Sequence, residues 1–346
     1  MILRWGILLL FYIITSAIIT LTFFVRPGVH QYHRATFPDM LSGTAHKPYV
    51  YRQLVPATIR AISSTTPDAF KKAVATWFAR KHEELMKLFE WSETHTYEHL
   101  LSLIISFFCF LGLAFVLRSA IALFYDFPRF VADVAPILGL VVLPAFFRYI
   151  NYVYDPVTLL LTAAAIVTVY RRLHWSYYCL FVIATLNKET SILLIGLFIL
   201  RELKLLSKPL LVMHVLFQLV LWTSARIFYH TMFAANPGST VEFHLFDHNL
   251  NLLFRPGPMV YLCVASAIVL TLVLHQWGKK PKFLRSGLVV TVTPILVLAV
   301  FFSYLDELRI YYEAYPFLFL LSLPTIVHAL GIPPKKETVS SRSSVE

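Results

Sequence analysis

ILLLFYIITSAIITLTFFV, residues 7–25, runs for nineteen positions without a charged side chain. A helix needs about 20 predominantly apolar residues to cross a hydrocarbon core about 30 Å thick. The pattern returns in EHLLSLIISFFCFLGLAFVL, residues 98–117, whose only acid and only histidine stand at the first two positions. In water such stretches would need protein packed around every face. In a bilayer the lipid supplies that surface.

Marking apolar runs outward from these two predicts ten spans, at roughly 5–25, 98–117, 130–148, 155–170, 173–187, 189–203, 209–230, 258–276, 286–304 and 310–329. The expected fold is therefore an all-α polytopic membrane bundle, with residues 1–332 forming one transmembrane domain. Apolar residues make up 58% of the chain and charged residues 14%, against about 45–50% and about 25% in soluble domains. A nucleic-acid partner is excluded, because it would need a basic face on a water-soluble domain. The net charge of +11 is read as topology instead. Cys109, Cys179 and Cys263 lie inside apolar runs at no metal-ligand spacing, so they indicate neither a disulfide framework nor a zinc site.

Cytoplasmic loops hold the excess of Lys and Arg. With the N-terminus inside, the inner segments carry fifteen basic residues and the short outer segments five: Arg148, Lys188, Arg226, Arg255 and Arg309. Both termini are expected in the cytoplasm. The first run is read as an uncleaved span, with a removed signal peptide as the alternative. None of the five Asn begins an Asn-x-Ser/Thr acceptor, which favours a bacterial inner membrane.

The long first loop, 26–97, is expected outside the cytoplasm. From Thr66 it reads as a helix, with Thr66 as cap and Pro67 at the first position. Phe70, Val74, Trp77, Phe78, Leu85, Leu88 and Phe89 fall near one face, as in a helix lying in the headgroup plane. Docking of that face on protein is the alternative. Leu54, Val55, Ile59 and Ile62 predict a second such helix before it. The tail, 333–346, is too polar to support a core and is expected to be disordered.

The inner loops hold mainly Lys and Arg, which topology explains. The outer ones hold acids, amides and histidines, which it does not. Asn187, Lys188 and Glu189 join two runs of which the first, Leu173–Asn187, rises only about 22 Å, short of the hydrocarbon thickness. Polar backbone at that depth is tolerated only inside protein or beside a water-filled cavity, so a polar recess is expected there. The alternative is an ordinary turn in which Lys188 snorkels and Glu189 pairs with it. Arg309 stands within helical reach of Asp306 and Glu313, and its fork suits a phosphate or a structural ion pair. His244, Asp247 and His248 have ligand types at i, i+3 and i+4, the one place where a divalent metal is suggested. Asp155 before Pro156 suits a helix cap or a catalytic acid, and Asp39 either a cap or a general base.

The order of first span, long outer loop with an acid and two interfacial helices, then paired spans with polar outer turns resembles the GT-C class of membrane glycosyltransferases. The segments Tyr51-Arg52-Gln53-Leu54-Val55-Pro56, Asn187-Lys188-Glu189-Thr190 and Glu307-Leu308-Arg309 are likewise similar to bacterial membrane proteins of this general type. No Asp-x-Asp occurs in the first loop. The resemblance implies a polyprenyl-phosphate-linked sugar as donor, with Asp39 catalytic and Arg52, Lys188 and Arg309 on the donor phosphate. Tyr51, Tyr154, Asp155, Asn187, Glu189 and Glu307 would support the pocket, and membrane lipids would surround it. A transporter or lipid flippase, which also builds sites from short spans and polar breaks, is the main rival reading. A structural subunit of a membrane complex is the third.

Overall fold

The computed structural model describes residues 2–25, 29 and 32–332. All regular secondary structure among them is helical. The expected disordered tail, 333–346, lies outside the described residues. Helix α1 (Ile2–Phe24) is followed by four helices of the first loop: α2 (Phe37–Ser42), α3 (Leu54–Thr65), α4 (Asp68–Lys81) and α5 (Glu83–Phe89). The chain continues through α6 (Thr96–Phe124), α7 (Arg129–Val141), α8 (Asp155–Tyr170), α9 (His174–Asn187), α10 (Leu193–Glu202) and α11 (Lys208–Met232). The single turn α12 (Leu250–Leu252) leads to α13 (Pro256–Leu274), α14 (Lys282–Phe302) and α15 (Tyr315–Ala329).

Among the described residues six stretches are long and apolar enough to cross a membrane: Leu3–Phe24, Glu93–Phe124, Arg129–Phe146, Lys208–Met232, Pro256–Leu274 and Lys282–Phe302. The other four apolar helices, α8, α15, α9 and α10, have 16, 15, 14 and 10 residues. At 1.5 Å per residue they rise about 24, 22, 21 and 15 Å, less than the bilayer core. Each predicted span thus overlaps an apolar helix, but only six of the ten are long enough to cross; of the short ones α8 and α15 are largely buried, while α9 exposes Trp175, Val182 and Ile183. Helix α8 is buried over most of its length and packs on α6, α9, α10 and α15. Helices α11 and α13 instead expose apolar rows such as Leu216, Val220, Ile227, Val260, Val264 and Ile268.

Close helix approach depends on small residues. A Cβ built on Gly287 in α14 would come within 2.9 Å of Phe317 Cζ in α15 and nearer still to its Cε1. Gly287→Val is therefore expected to lower stability by about 1–3 kcal/mol through overpacking. Thermal melting in detergent checks this, and Phe317→Leu in the same chain should recover most of the loss.

Polar groups collect at the two ends of the bundle. At one end Asp133 receives Arg118 at 2.7 Å and also Arg4, while buried Glu202 receives Arg172 at 3.1 Å and His174 at 3.3 Å. Lys280 there donates to the carbonyls of Leu272 and Val273, both at 2.7 Å, satisfying the exposed end of α13. At the far end Asn151 donates to the carbonyl of Phe23, at the last turn of α1, at 3.0 Å.

The first loop departs from its sequence reading in three ways. Thr66 does not cap α4; its hydroxyl bonds back to Ile62 O at 2.8 Å and so closes α3, with Pro67 at the cap position. The helix expected to run on to Phe89 breaks at His82, dividing it into α4 and α5. Helix α3 lies on protein, with Val55 and Ile59 buried, whereas α4 buries no residue and leaves Phe70 and Trp77 exposed. Further on, α7 stops at Val141 and not near 148, giving way to a 3₁₀ turn that contains Pro144, because proline removes a helix donor.

Candidate functional site

Five segments meet at the α1 C-terminal end of the bundle: the Tyr49–Arg52 turn, the Tyr152–Asp155 entry to α8, the break between α9 and α10, the loop at His248, and the stretch Asp306–Glu313. The break carries the most information. Helix α9 ends at Asn187, Lys188 adopts an extended conformation, and Glu189–Ile192 form a 3₁₀ turn. Buried backbone there is held from several sides. Asn187 Nδ2 donates to Tyr154 O at 3.1 Å and to Thr158 Oγ1 at 2.9 Å, and Trp222 Nε1 donates to Glu189 O at 2.9 Å.

Lys188 and Glu189 do not pair with each other. Lys188 Nζ meets Glu313 Oε1 at 2.8 Å with both side chains buried, and Thr190 donates to the same carboxylate. Glu189 is gripped by both faces of the Arg52 fork: Nε donates to Oε2 at 3.2 Å and Nη2 to Oε1. The snorkelling alternative fails because each partner comes from a distant segment. Arg52 also donates to the Tyr154 hydroxyl and lies over the Tyr154 ring at 4.7 Å and the Tyr49 ring at 5.5 Å. Burial is the largest single influence and opposes its charge, but Glu189 with Tyr154 and Tyr49 together hold its pKa well above the ordinary arginine value.

Arg309 is the second buried fork. The sequence reading set it against Asp306 and Glu313 on one helix, but α15 begins only at Tyr315, and Leu308–Tyr311 form a 3₁₀ turn with different spacing. Arg309 Nε therefore donates to Glu307 at 2.7 Å, its Nη1 stands 3.9 Å from Asp155, and it covers the Tyr152 ring at 4.3 Å. Burial is the largest single influence and lowers its pKa, but Glu307, Tyr152, Tyr154 and Asp155 together hold it well above the ordinary arginine value. Asp306 instead accepts from the Tyr149 hydroxyl and meets His248 Nε2 at 2.8 Å. Tyr49, Tyr152 and Tyr154 stack in succession, with centroids 5.2 Å apart at each step, so both forks rest on one aromatic column.

Asp155 is wholly buried; its Oδ2 accepts the Tyr152 N–H at 3.0 Å, and its Oδ1 has no protein partner. Asp155 does not cap α8, whose cap position is Tyr154 with no side-chain bond; it is the first helical residue and reaches back to the preceding turn, with Arg309 adding a charge beside it. Asn187 Oδ1, Glu313 Oε2 and Thr291 Oγ1 are also enclosed without partners. All three residues line a cavity of about 20 Å³ with Thr158, Thr162 and Lys188, a volume on the scale of one water molecule.

Asp39 stands apart from this network in its bonding. It is the third residue of α2, where Thr36 caps the helix and accepts the Asp39 N–H at 3.3 Å, and its carboxylate takes Thr36 and Thr44 hydroxyls. This is an N-cap by Thr36, with the Asp39 carboxylate bonded back to the capping hydroxyl. Among the described residues no cluster of three His, Cys, Asp or Glu side chains suits a metal. His244 meets Asp247 at 2.9 Å, whereas His248 turns to Asp306 and stacks on Tyr304 at 3.9 Å, so the suggested trio is split.

Tyr51 sits beside the cluster, stacked on His230. Sequence reasoning missed Tyr49 and Tyr152 as ring platforms and Trp222 as a donor to the break. It mentioned Glu313 only as a neighbour of Arg309. Tyr152 and Tyr154, separated by one residue in the sequence, were the signal available for two of the three rings of the column. Comparisons with protein-family models, with curated proteins and with solved structures returned no match.

Proposed function

We propose that the chain is a bacterial inner-membrane glycosyltransferase that takes a sugar from a polyprenyl-phosphate-linked donor at the extracytoplasmic face. Ten helices would cross or enter the bilayer with both termini in the cytoplasm. The observation that carries the reading is the meeting of Arg52, Lys188 and Arg309 with Glu189, Glu313, Asp155 and Glu307 at the end opposite the Arg4–Asp133–Arg118 cluster. Each cation has a carboxylate partner, so an arriving phosphate competes for a fork that already fits two oxygens. When it takes Arg52, Glu189 is released as a base. The acceptor hydroxyl gives its proton to Glu189, and its oxygen attacks the anomeric carbon. The bond to phosphate breaks with the electron pair left on phosphate, where Arg52 and Arg309 stabilise the charge. Asp39, bonded within its own turn, keeps α2 in place or orients the acceptor in this scheme.

Sugar transfer from polyprenyl-phosphate donors, assayed in proteoliposomes, tests it. Glu189→Gln and Arg52→Lys are expected to lower kcat by about 100-fold or more in the fraction of chain that melting shows to be folded, and Asp39→Asn to retain most turnover. Full turnover in both of the first two variants would remove the mechanism. A reporter fused in the loop after Ala234 should read as extracytoplasmic; a cytosolic reading would reverse the orientation. An ion-coupled transporter is favoured by one observation, the buried Lys188–Glu313 pair inside a helix break. Solute uptake by liposomes without sugar transfer would select it.

A further inference from the structure

Two arginines near the cluster have no carboxylate within ion-pair distance among the described residues. Arg60, on α3, spends Nη1 on Leu41 O at 2.6 Å and Nη2 on Gln53 Oε1 at 2.7 Å. Arg226, on α11, donates Nη2 to Thr185 O, and its enclosed Nε has no partner. A guanidinium offers five donors, so most of this capacity is unspent. Burial pushes Arg60 below its ordinary pKa with no acid to oppose it. Glu189, across the helix break from Arg226, is already held by both sides of Arg52.

These groups share one junction. The Arg226 guanidinium covers the Tyr229 ring at 5.4 Å, and the Tyr49–Tyr51 turn, just before the Gln53 that Arg60 holds, packs against α11. His230, one turn beyond Arg226, stacks on Tyr51. Tyr51 is only 7% exposed, yet its hydroxyl has no partner. Beside Arg226 the same helix turns Ile227 and Phe228 outward, 62% and 60% exposed, as a surface for acyl chains. We infer that the α3–α11 junction binds the phosphate of a membrane lipid, with Arg60 and Arg226 as its cationic jaws, Tyr51 as a hydroxyl donor, and the tail along the outer face of α11. This needs no transfer chemistry, so binding without turnover would remove the transferase reading and leave the site standing.

Calorimetric titration of the purified full chain in neutral detergent tests the inference. Dioctanoylphosphatidic acid is the probe; dioctanoylglycerol and inorganic phosphate are the controls that lack, respectively, the anion and the tail. Expected is binding of the phosphatidic acid alone, weakened about tenfold or more in Arg60→Gln and in Arg226→Gln. Tyr51→Phe should weaken it with the melting temperature unchanged, because the hydroxyl has no protein bond to lose. Unaltered affinity in a folded Arg60→Gln/Arg226→Gln chain overturns the site. Inorganic phosphate binding as tightly as the lipid overturns the lipid source. If the double variant does not fold, unaltered affinity in both Tyr51→Phe and Arg226→Lys overturns it instead.

Discussion

Replacing Lys188 with Met is expected to destabilise the chain by roughly 3–5 kcal/mol, because it leaves a buried carboxylate without its counter-charge. The Lys188 and Glu313 side chains are 9% and 5% exposed, and their 2.8 Å contact is the only ion pair either makes among the described residues. Removing both charges avoids most of the loss, since the desolvation cost of the pair disappears with its attraction. Lys188→Met/Glu313→Gln should therefore melt close to the parent, with Thr190 still bonded to the amide. A double-mutant cycle on melting in detergent reads the coupling directly. A loss in the double variant equal to the sum of the two single losses would show that the two residues are not an energetic unit.

Arg309→Met should cost at least as much, and its rescue should be incomplete. Arg309 serves two acids, Glu307 at 2.7 Å and wholly buried Asp155 at 3.9 Å. Neutralising one of them, as Arg309→Met/Glu307→Gln, still leaves Asp155 to be protonated or hydrated. About half of the loss is expected to return on melting, against nearly all of it for Lys188 and Glu313. Complete recovery in the Arg309 double variant would mean that Asp155 does not depend on Arg309. The contrast separates a closed pair from a shared cation, a distinction that the loop sequences do not reveal.

The polar end of the bundle was partly legible before folding. Asn187, Lys188 and Glu189 stood out because the apolar runs beside them are too short to span, and length is a property of the sequence. Their partners did not stand out. A carboxylate 125 residues away, Glu313, is chosen by how α15 is seated against α8, and only packing sets that. Arg309 was matched to the wrong acids because helical spacing was assumed where the chain makes a 3₁₀ turn. Asp39 looked like an isolated acid, but Thr36 three residues earlier already supplied the capping pattern that the structure displays.

Apolar run length, charge content and proline position determined the helical membrane class, the approximate extent of each long helix and the short breaks between the inner ones. Those are local quantities, set by the hydrocarbon core and by backbone chemistry. The tertiary structure alone decided which cation meets which carboxylate, that three tyrosines stack into one column, and that Arg60 and Arg226 have no acid partner among the described residues. Such pairings depend on distances between segments far apart in the chain, and those distances come into being only when the helices pack.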